Sequence, residues 1–152
     1  MRVVVQRCMK ASVSVENKIV GKIDKGLMLL VGFTYGDSEK EIDYMVDKIV
    51  HLRIFDDENG VMNQSLLDVS GSILSISQFT LYADTRKGRR PSYIKALNGD
   101  EAKDLYQFFN QKLRSTVKLV EEGIFGADMK VDFINDGPVT IILEKEGDLD
   151  GK

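Results

Sequence analysis

Val3, Val5, Val13 and Val15 alternate with other residues, and this period of two predicts a strand over residues 3–15. Residues 19–23 and 27–33 continue as two more strands. Asp24-Lys25-Gly26 forms a tight bend between them. The period then changes. Ile42, Met45, Val46, Ile49 and Val50 recur at helical spacing, so one face of a helix packs on a core. Ser38 and Glu41 precede this run at the spacing of a capping box, in which each side chain takes the other residue's backbone N–H. Asp56-Asp57-Glu58-Asn59-Gly60 reads as a turn.

Residues 73–81 form the next predicted strand. Ile73, Leu74, Ile76, Phe79 and Leu81 fall on both of its faces, as expected of a strand covered on both sides. Residues 84–91 are polar and basic, hence a loop. A second helix is expected over 100–115, with Ala102, Leu105, Phe109 and Leu113 on one side. Strands around 118–121, 129–134 and 139–143 complete a single domain of residues 1–146. From Glu144 onward the chain is expected to run into a polar, frayed tail, with residues 147–152 outside the domain. The order strands, helix, strands, helix, strands predicts an α+β fold with a mixed or antiparallel sheet, not a doubly wound parallel one.

At 152 residues the chain suits one domain with a real core, and 43% apolar with 30% charged residues is an ordinary soluble balance. No apolar run is long enough to span a bilayer, and Met1-Arg2-Val3-Val4-Val5-Gln6 lacks the features of a signal peptide, so the expectation is cytoplasmic with no membrane contact. Cys8 is the only cysteine and His51 the only histidine. Together they remove internal disulfides and most zinc sites, and they weaken any Ser-His or Cys-His chemistry. No metal and no cofactor is expected. His51 falls at the end of the first helix, where its charge suits the helix dipole. The net charge of −3 means that any RNA contact must use a local basic patch. Arg86, Lys87, Arg89 and Arg90 offer one. Such a run either meets phosphate or is a solvated loop.

Ser77-Gln78-Phe79-Thr80-Leu81 concentrates two hydroxyls and an amide at a strand end. These groups can orient a polar substrate and donate to a developing oxyanion. Polar side chains at strand ends also commonly satisfy local backbone groups. Asn135-Asp136-Gly137-Pro138 has the composition of a plain turn, and a Gly-Pro bond is also one that can be cis.

Taken as a pair, Ser77-Gln78-Phe79-Thr80-Leu81 and Asn135-Asp136-Gly137-Pro138-Val139-Thr140 resemble the two signatures of D-aminoacyl-tRNA deacylases. The resemblance extends to Met1-Arg2-Val3-Val4-Val5-Gln6-Arg7, Leu52-Arg53-Ile54-Phe55, Gly88-Arg89-Arg90-Pro91-Ser92 and Gly123-Ile124-Phe125-Gly126-Ala127-Asp128-Met129, and so covers nearly the whole chain. It implies a barrel-like sheet with two main helices, and a cytoplasmic homodimer that hydrolyses the ester joining a D-amino acid to the terminal adenosine of tRNA. It also implies activity on glycyl-tRNA and sparing of L-aminoacyl-tRNA. Ser77, Gln78, Phe79 and Thr80 would form the catalytic segment. Gly137 and Pro138 of one subunit would enter the active site of the other and read handedness there, and Phe125, Met129 and Ala102 would lie near the aminoacyl end. Thr80 has no motif base beside it, so it is expected to position or polarise, with the ribose 2′-hydroxyl assisting the water. The alternatives are a tRNA-binding homodimer of the same fold without turnover, an esterase for a small molecule, and a structural dimerisation domain.

Overall fold

Strand β1 (Arg2–Val15) is the spine of the sheet, because three other strands bond to it. In this computed structural model, which describes residues 1–147, β2 (Lys18–Ile23) pairs antiparallel with its second half and β3 (Gly26–Gly32) with its first. Helix α1 (Glu39–His51) follows, opened by the capping box: Glu41 accepts from the Ser38 backbone N–H at 2.8 Å, and Ser38 Oγ caps the first turn. A short hairpin, β4 (Phe55–Asp56) and β5 (Met62–Gln64), leads to β6 (Ser72–Ser77). After helix α2 (Gly99–Arg114) come β7 (Val120–Glu122) and β8 (Lys130–Glu144). β6 joins β3 in parallel and β7 joins β6 in parallel, whereas β8 runs antiparallel along β1 from Ser14↔Lys130 to Arg2↔Glu144. The sheet is therefore mixed, and the fold is α+β with two main helices.

Alternation in β3 and β6 builds two cores. Leu27, Leu29, Val31 and Ile73 face α1 and α2, where Ile42, Met45, Tyr106 and Phe109 meet them. Met28, Leu74 and Ile76 point the other way and pack with Cys8, Val13 and Ile23 inside the curled sheet. The expected two-sided burial of residues 73–77 is therefore present. The curl brings β2 towards β7: a Cβ at Gly21 would stand 3.0 Å from the Glu122 carbonyl oxygen. The sheet is nearly a barrel as a result. Tyr106, which is fully buried, ties α2 to β6 by donating its hydroxyl proton to the Ser75 carbonyl at 2.7 Å.

Three sequence expectations are corrected. The strand expected over 73–81 stops at Ser77, and a 3-10 turn (Phe79–Tyr82) takes its place. β3 ends at Gly32, so beyond Gln78 the segment has no neighbour to bond and closes on itself instead. The strands expected at 129–134 and 139–143 are one strand, β8, because β1 is long enough to pair with both halves. The tail does not begin at Glu144. That residue ends β8, and the Lys145 N–H still donates to the Met1 carbonyl at 2.9 Å. Residues 148–152 of the expected tail lie outside the described residues. No helix among the described residues is long and apolar enough to cross a membrane.

Candidate active site

The segment after β6 is held in place from β3. Gln78 N–H donates to the Val31 carbonyl at 2.7 Å. The next residue of β3 is Gly32, where a Cβ would stand only 2.8 Å from the Gln78 carbonyl oxygen. Glycine at this position lets the two backbones come this close. The 3-10 turn then forms, with Leu81 N–H donating to Gln78 O at 3.3 Å and Ala83 N–H to Thr80 O at 3.0 Å. Phe79 and Thr80 head this turn, and their backbone N–H groups have no acceptor among the described residues, as is usual for the first donors of a helix. Gln78 Nε2 donates to Thr80 Oγ1 at 2.5 Å, so the amide holds the threonine hydroxyl. Arg2 pins the far end of the turn. It donates to Leu81 O at 2.8 Å and lies 4.4 Å over the Tyr82 ring.

Beside this turn is a cavity of about 470 Å³. Ser77, Gln78 and Phe79 form one wall, Ala102 of α2 a second, and Phe125 and Met129 a third. Small residues shape it. A Cβ on Gly123 would stand 2.5 Å from the Met129 sulfur, so glycine there lets Met129 reach Ile76 and the cavity. The Phe125 ring is held 6.0 Å from that of Tyr106. Thr80 is adjacent to this lining and not part of it; it reaches the site through Gln78.

Ionisable groups are scarce here. Asp128 is the only side chain in the lining that titrates, and it faces solvent with Lys130 3.0 Å away. His51 lies on the exposed last turn of α1, with Nδ1 2.9 Å from Asp47 O. Cys8 is inside the curled sheet, where burial pushes its thiol pKa up to about 11. A backbone hydrogen bond from Gly26 opposes that rise and the charge of Asp136 adds to it.

Gly137 and Pro138 do not line this cavity in their own chain. They sit on a bulge of β8, where the register passes from Gln6↔Thr140 to Cys8↔Asn135. The Gly137-Pro138 peptide is cis. Gly137 has φ +122°, a region that L side chains rarely adopt, and a Cβ there would meet Val139 at 2.8 Å and Arg7 at 3.1 Å. Asn135 closes the bulge, its Oδ1 accepting from Val139 N–H at 3.2 Å. Both Gly137 and Pro138 are exposed.

No sequence motif singles out Arg7 for a role of its own. It is 6% exposed and holds the bulge from below. Nη1 donates to Ile54 O at 2.8 Å and to Asp56 at 3.3 Å, and Nε donates to Asp136 O at 3.2 Å. The signal was present: Arg7 continues the buried phase of Val3 and Val5, so the alternation places a charge on the inner face. Arg7→Met keeps the bulk and loses these bonds. It is expected to lower stability by roughly 1.5–3 kcal/mol. An unchanged thermal midpoint would show that the bulge needs no such anchor.

The four basic residues at 86–90 are not equivalent. Asp84 and Ser92 bond each other's backbones at 2.8 and 2.9 Å, which makes residues 84–92 a closed hairpin. Within it Arg86 grips Asp84 through Nε at 2.9 Å and Nη2 at 2.7 Å, and holds that carboxyl well below the usual carboxylate range. Lys87, Arg89 and Arg90 are exposed and form no ion pair among the described residues.

Residues 4–144 match the sequence profile of a family described as D-Tyr-tRNA(Tyr) deacylase. A D-aminoacyl-tRNA deacylase of Brevibacillus brevis is 58% identical over 144 residues, covering 95% of this chain and 99% of that one. One of Bacillus cereus is 58% identical over 146 residues, covering 96% and 100%. Among solved structures, the c-Myc DNA Unwinding Element Binding Protein superposes with a TM-score of 0.91 at 41% identity, covering 97% of this chain and 100% of that one. A probable eukaryotic D-amino acid tRNA deacylase shares the fold, with a TM-score of 0.82 at 21% identity.

Proposed function

The chain belongs to the D-Tyr-tRNA(Tyr) deacylase family, and from that membership we infer that it is an ester hydrolase that releases D-amino acids from tRNA. One observation carries the reading to this chain's own residues. Ser77, Gln78, Phe79, Ala102, Phe125 and Met129 come from three separate stretches of sequence and converge on one cavity. The test is release of D-tyrosine from D-tyrosyl-tRNA by the purified protein; absence of release sinks the proposal. A tRNA-binding homodimer of this fold without turnover is the competing reading; the name of the 41% identical neighbour speaks only for nucleic-acid binding, and the same assay separates the two.

In the proposed reaction the ester carbonyl lies against the head of the 3-10 turn. The free N–H groups of Phe79 and Thr80 then face the charge that develops on the carbonyl oxygen when water attacks. Thr80 has no base to make it a nucleophile; its partner is the Gln78 amide. Its task is to hold the turn and Gln78 in register. Thr80→Ala is expected to lower kcat by about 10²-fold, the usual penalty for small misplacement at a reacting centre. KM is expected to move far less. A loss confined to KM would make Thr80 a binding residue instead.

A second copy completes the site in this proposal. Gly137 and Pro138 project from the surface of their own chain, and Ile134 and Ile142 on the same strand are 45% and 72% exposed. Pairing of two copies through this face would cover those side chains and bring Gly137 and Pro138 of each into the cavity of the other. Their carbonyls would accept from the substrate ammonium. Glycyl-tRNA would also react, since glycine has no side chain to exclude. A tRNA substrate supports a cytoplasmic location.

The hairpin cations would meet RNA phosphate. Replacing Lys87, Arg89 and Arg90 with Gln is expected to flatten the dependence of log Kd on log salt by roughly 0.7–0.9 for each phosphate no longer neutralised. Arg86→Gln should change the slope less, because Asp84 already occupies that guanidinium. Equal slopes for all variants and the parent would remove the hairpin from the interface.

A further inference from the structure

Next to the cavity mouth is an apolar surface that the hydrolytic chemistry leaves unused. Phe79 lines the cavity yet is 50% exposed, and its ring meets the Tyr93 ring edge-on at 5.1 Å. Tyr93 is itself 40% exposed and Ile94 is 78% exposed. The segment carrying them is fixed at both ends. Ser92 is locked to Asp84 at the base of the basic hairpin. On the other side Thr34 Oγ1 donates to Lys95 O at 2.5 Å, and Leu97 N–H donates to Phe33 O at 3.0 Å. A rigid aromatic step therefore stands between the ester site and Lys87, Arg89 and Arg90. The one acid in the hairpin, Asp84, is already matched by Arg86 and has Lys95 at 3.9 Å.

We propose that this step receives the unpaired nucleotides that precede the esterified adenosine, with a base stacked on Tyr93 beside Phe79 and Ile94 and its phosphate facing the hairpin cations. The proposal rests on tRNA ester hydrolysis as read above and adds where the strand leaves the site. An exposed aromatic face next to unmatched cations is the surface that single-stranded nucleic acid uses, since every base has a π-face and every linkage a charge. A protein partner would match the rings and leave the three cations unanswered. Stacking tolerates any base, so this contact contributes affinity for a single strand and little preference among sequences.

The test compares two substrates. One is D-tyrosyl-tRNA. The other is the D-tyrosyl ester of adenosine alone, which ends before the step begins. Tyr93→Ala is expected to raise KM for the tRNA ester by about tenfold, the usual consequence of losing one stacked base. KM for the nucleoside ester should move far less, and Tyr93→Phe, which keeps the ring, should retain the parent's values on both. An unchanged KM for tRNA overturns the proposal. So does an equal loss on both esters, which would place Tyr93 with the reacting end. So does a change of oligomeric state in Tyr93→Ala, which would show the step covered by another copy of the chain. Failure of the parent protein to cleave either ester would overturn the hydrolase reading and this inference together. Parent turnover with an indifferent Tyr93→Ala overturns this inference alone.

Discussion

A D-tyrosyl-tRNA whose terminal ribose lacks its 2′-hydroxyl is expected to be hydrolysed about 10²–10⁴-fold more slowly than the natural ester, the range for losing a positioned acid-base group. The expectation comes from what surrounds the ester. Water attacking a carbonyl needs a proton acceptor within hydrogen-bond reach. The cavity wall supplies amides, hydroxyls, apolar side chains and one carboxylate, Asp128. That carboxylate stands in solvent, where Lys130 donates to both of its oxygens at 3.2 and 3.0 Å. His51 is engaged on the end of α1, and Cys8 is a buried thiol that stays protonated near neutral pH. The substrate carries the missing group. A vicinal hydroxyl on the ribose lies within reach of the water wherever the ester binds. Asp128→Asn is the control. A large drop in kcat for that variant, with the deoxy ester reacting at the normal rate, would assign the base to the protein.

L-tyrosyl-tRNA is expected to react at least about 10²-fold more slowly than D-tyrosyl-tRNA, the scale of rate loss for a reacting group held slightly out of place. Selection by handedness needs a wall that does not yield. A side chain can rotate away from a clash, whereas a main chain anchored from below has nowhere to go. Residues 135–139 meet that requirement. Arg7 bonds Asp136 and Ile54 from the buried side, Asn135 closes the bulge over Val139, and Gly137 occupies a φ that other residues resist. If the carbonyls of Gly137 and Pro138 from a second copy fix the substrate ammonium, exchange of hydrogen and side chain at the alpha carbon drives the L side chain into that main chain. D side chains would point outward, and their identity would matter little. Parallel release of D- and L-tyrosine at the same rate would refute the exclusion. Gly137→Ala provides an independent check. Its Cβ would press on Val139 and Arg7, and the D-to-L rate ratio should fall as the wall shifts.

Much of this architecture is legible from pattern alone. Ile42 to Val50 reads as a helix because packing and helical spacing agree there, and the Ser38–Glu41 box marks its start. The two long strands are harder. Residues 129–143 look like two strands around a turn, since Asn-Asp-Gly-Pro is turn chemistry and nothing local records that β1 is long enough to pair with both halves. The end of β6 is hidden for the same reason. Phe79 and Leu81 continue an apolar pattern, but a strand lasts only while its neighbour does, and Gly32 ends that neighbour. The residues of the two motifs are visible, and the alternation marks Arg7 as inward-facing, whereas what each support holds is not legible. Arg7, Gly32, Gly123 and Tyr106 act through close approach or buried hydrogen bonds, and these depend on which backbones meet in space.

The pairing of β1 with β8 also bears on when this protein becomes competent. Arg2 and Glu144 face each other across that ladder, 142 positions apart in the chain. Contacts of such separation form late, because the intervening chain must be brought together before they bring any gain. During synthesis β1 leaves the ribosome well before β8, and its outer edge stays bare until β8 emerges. The bulge bearing Gly137 and Pro138 rides on that last strand. A nascent chain can thus shape the walls of its cavity that come from β3, β6 and α2 before it holds the segment assigned here to the choice between D and L. On that assignment, a molecule still lacking β8 would lack its stereochemical filter, and selectivity would arrive only with that strand.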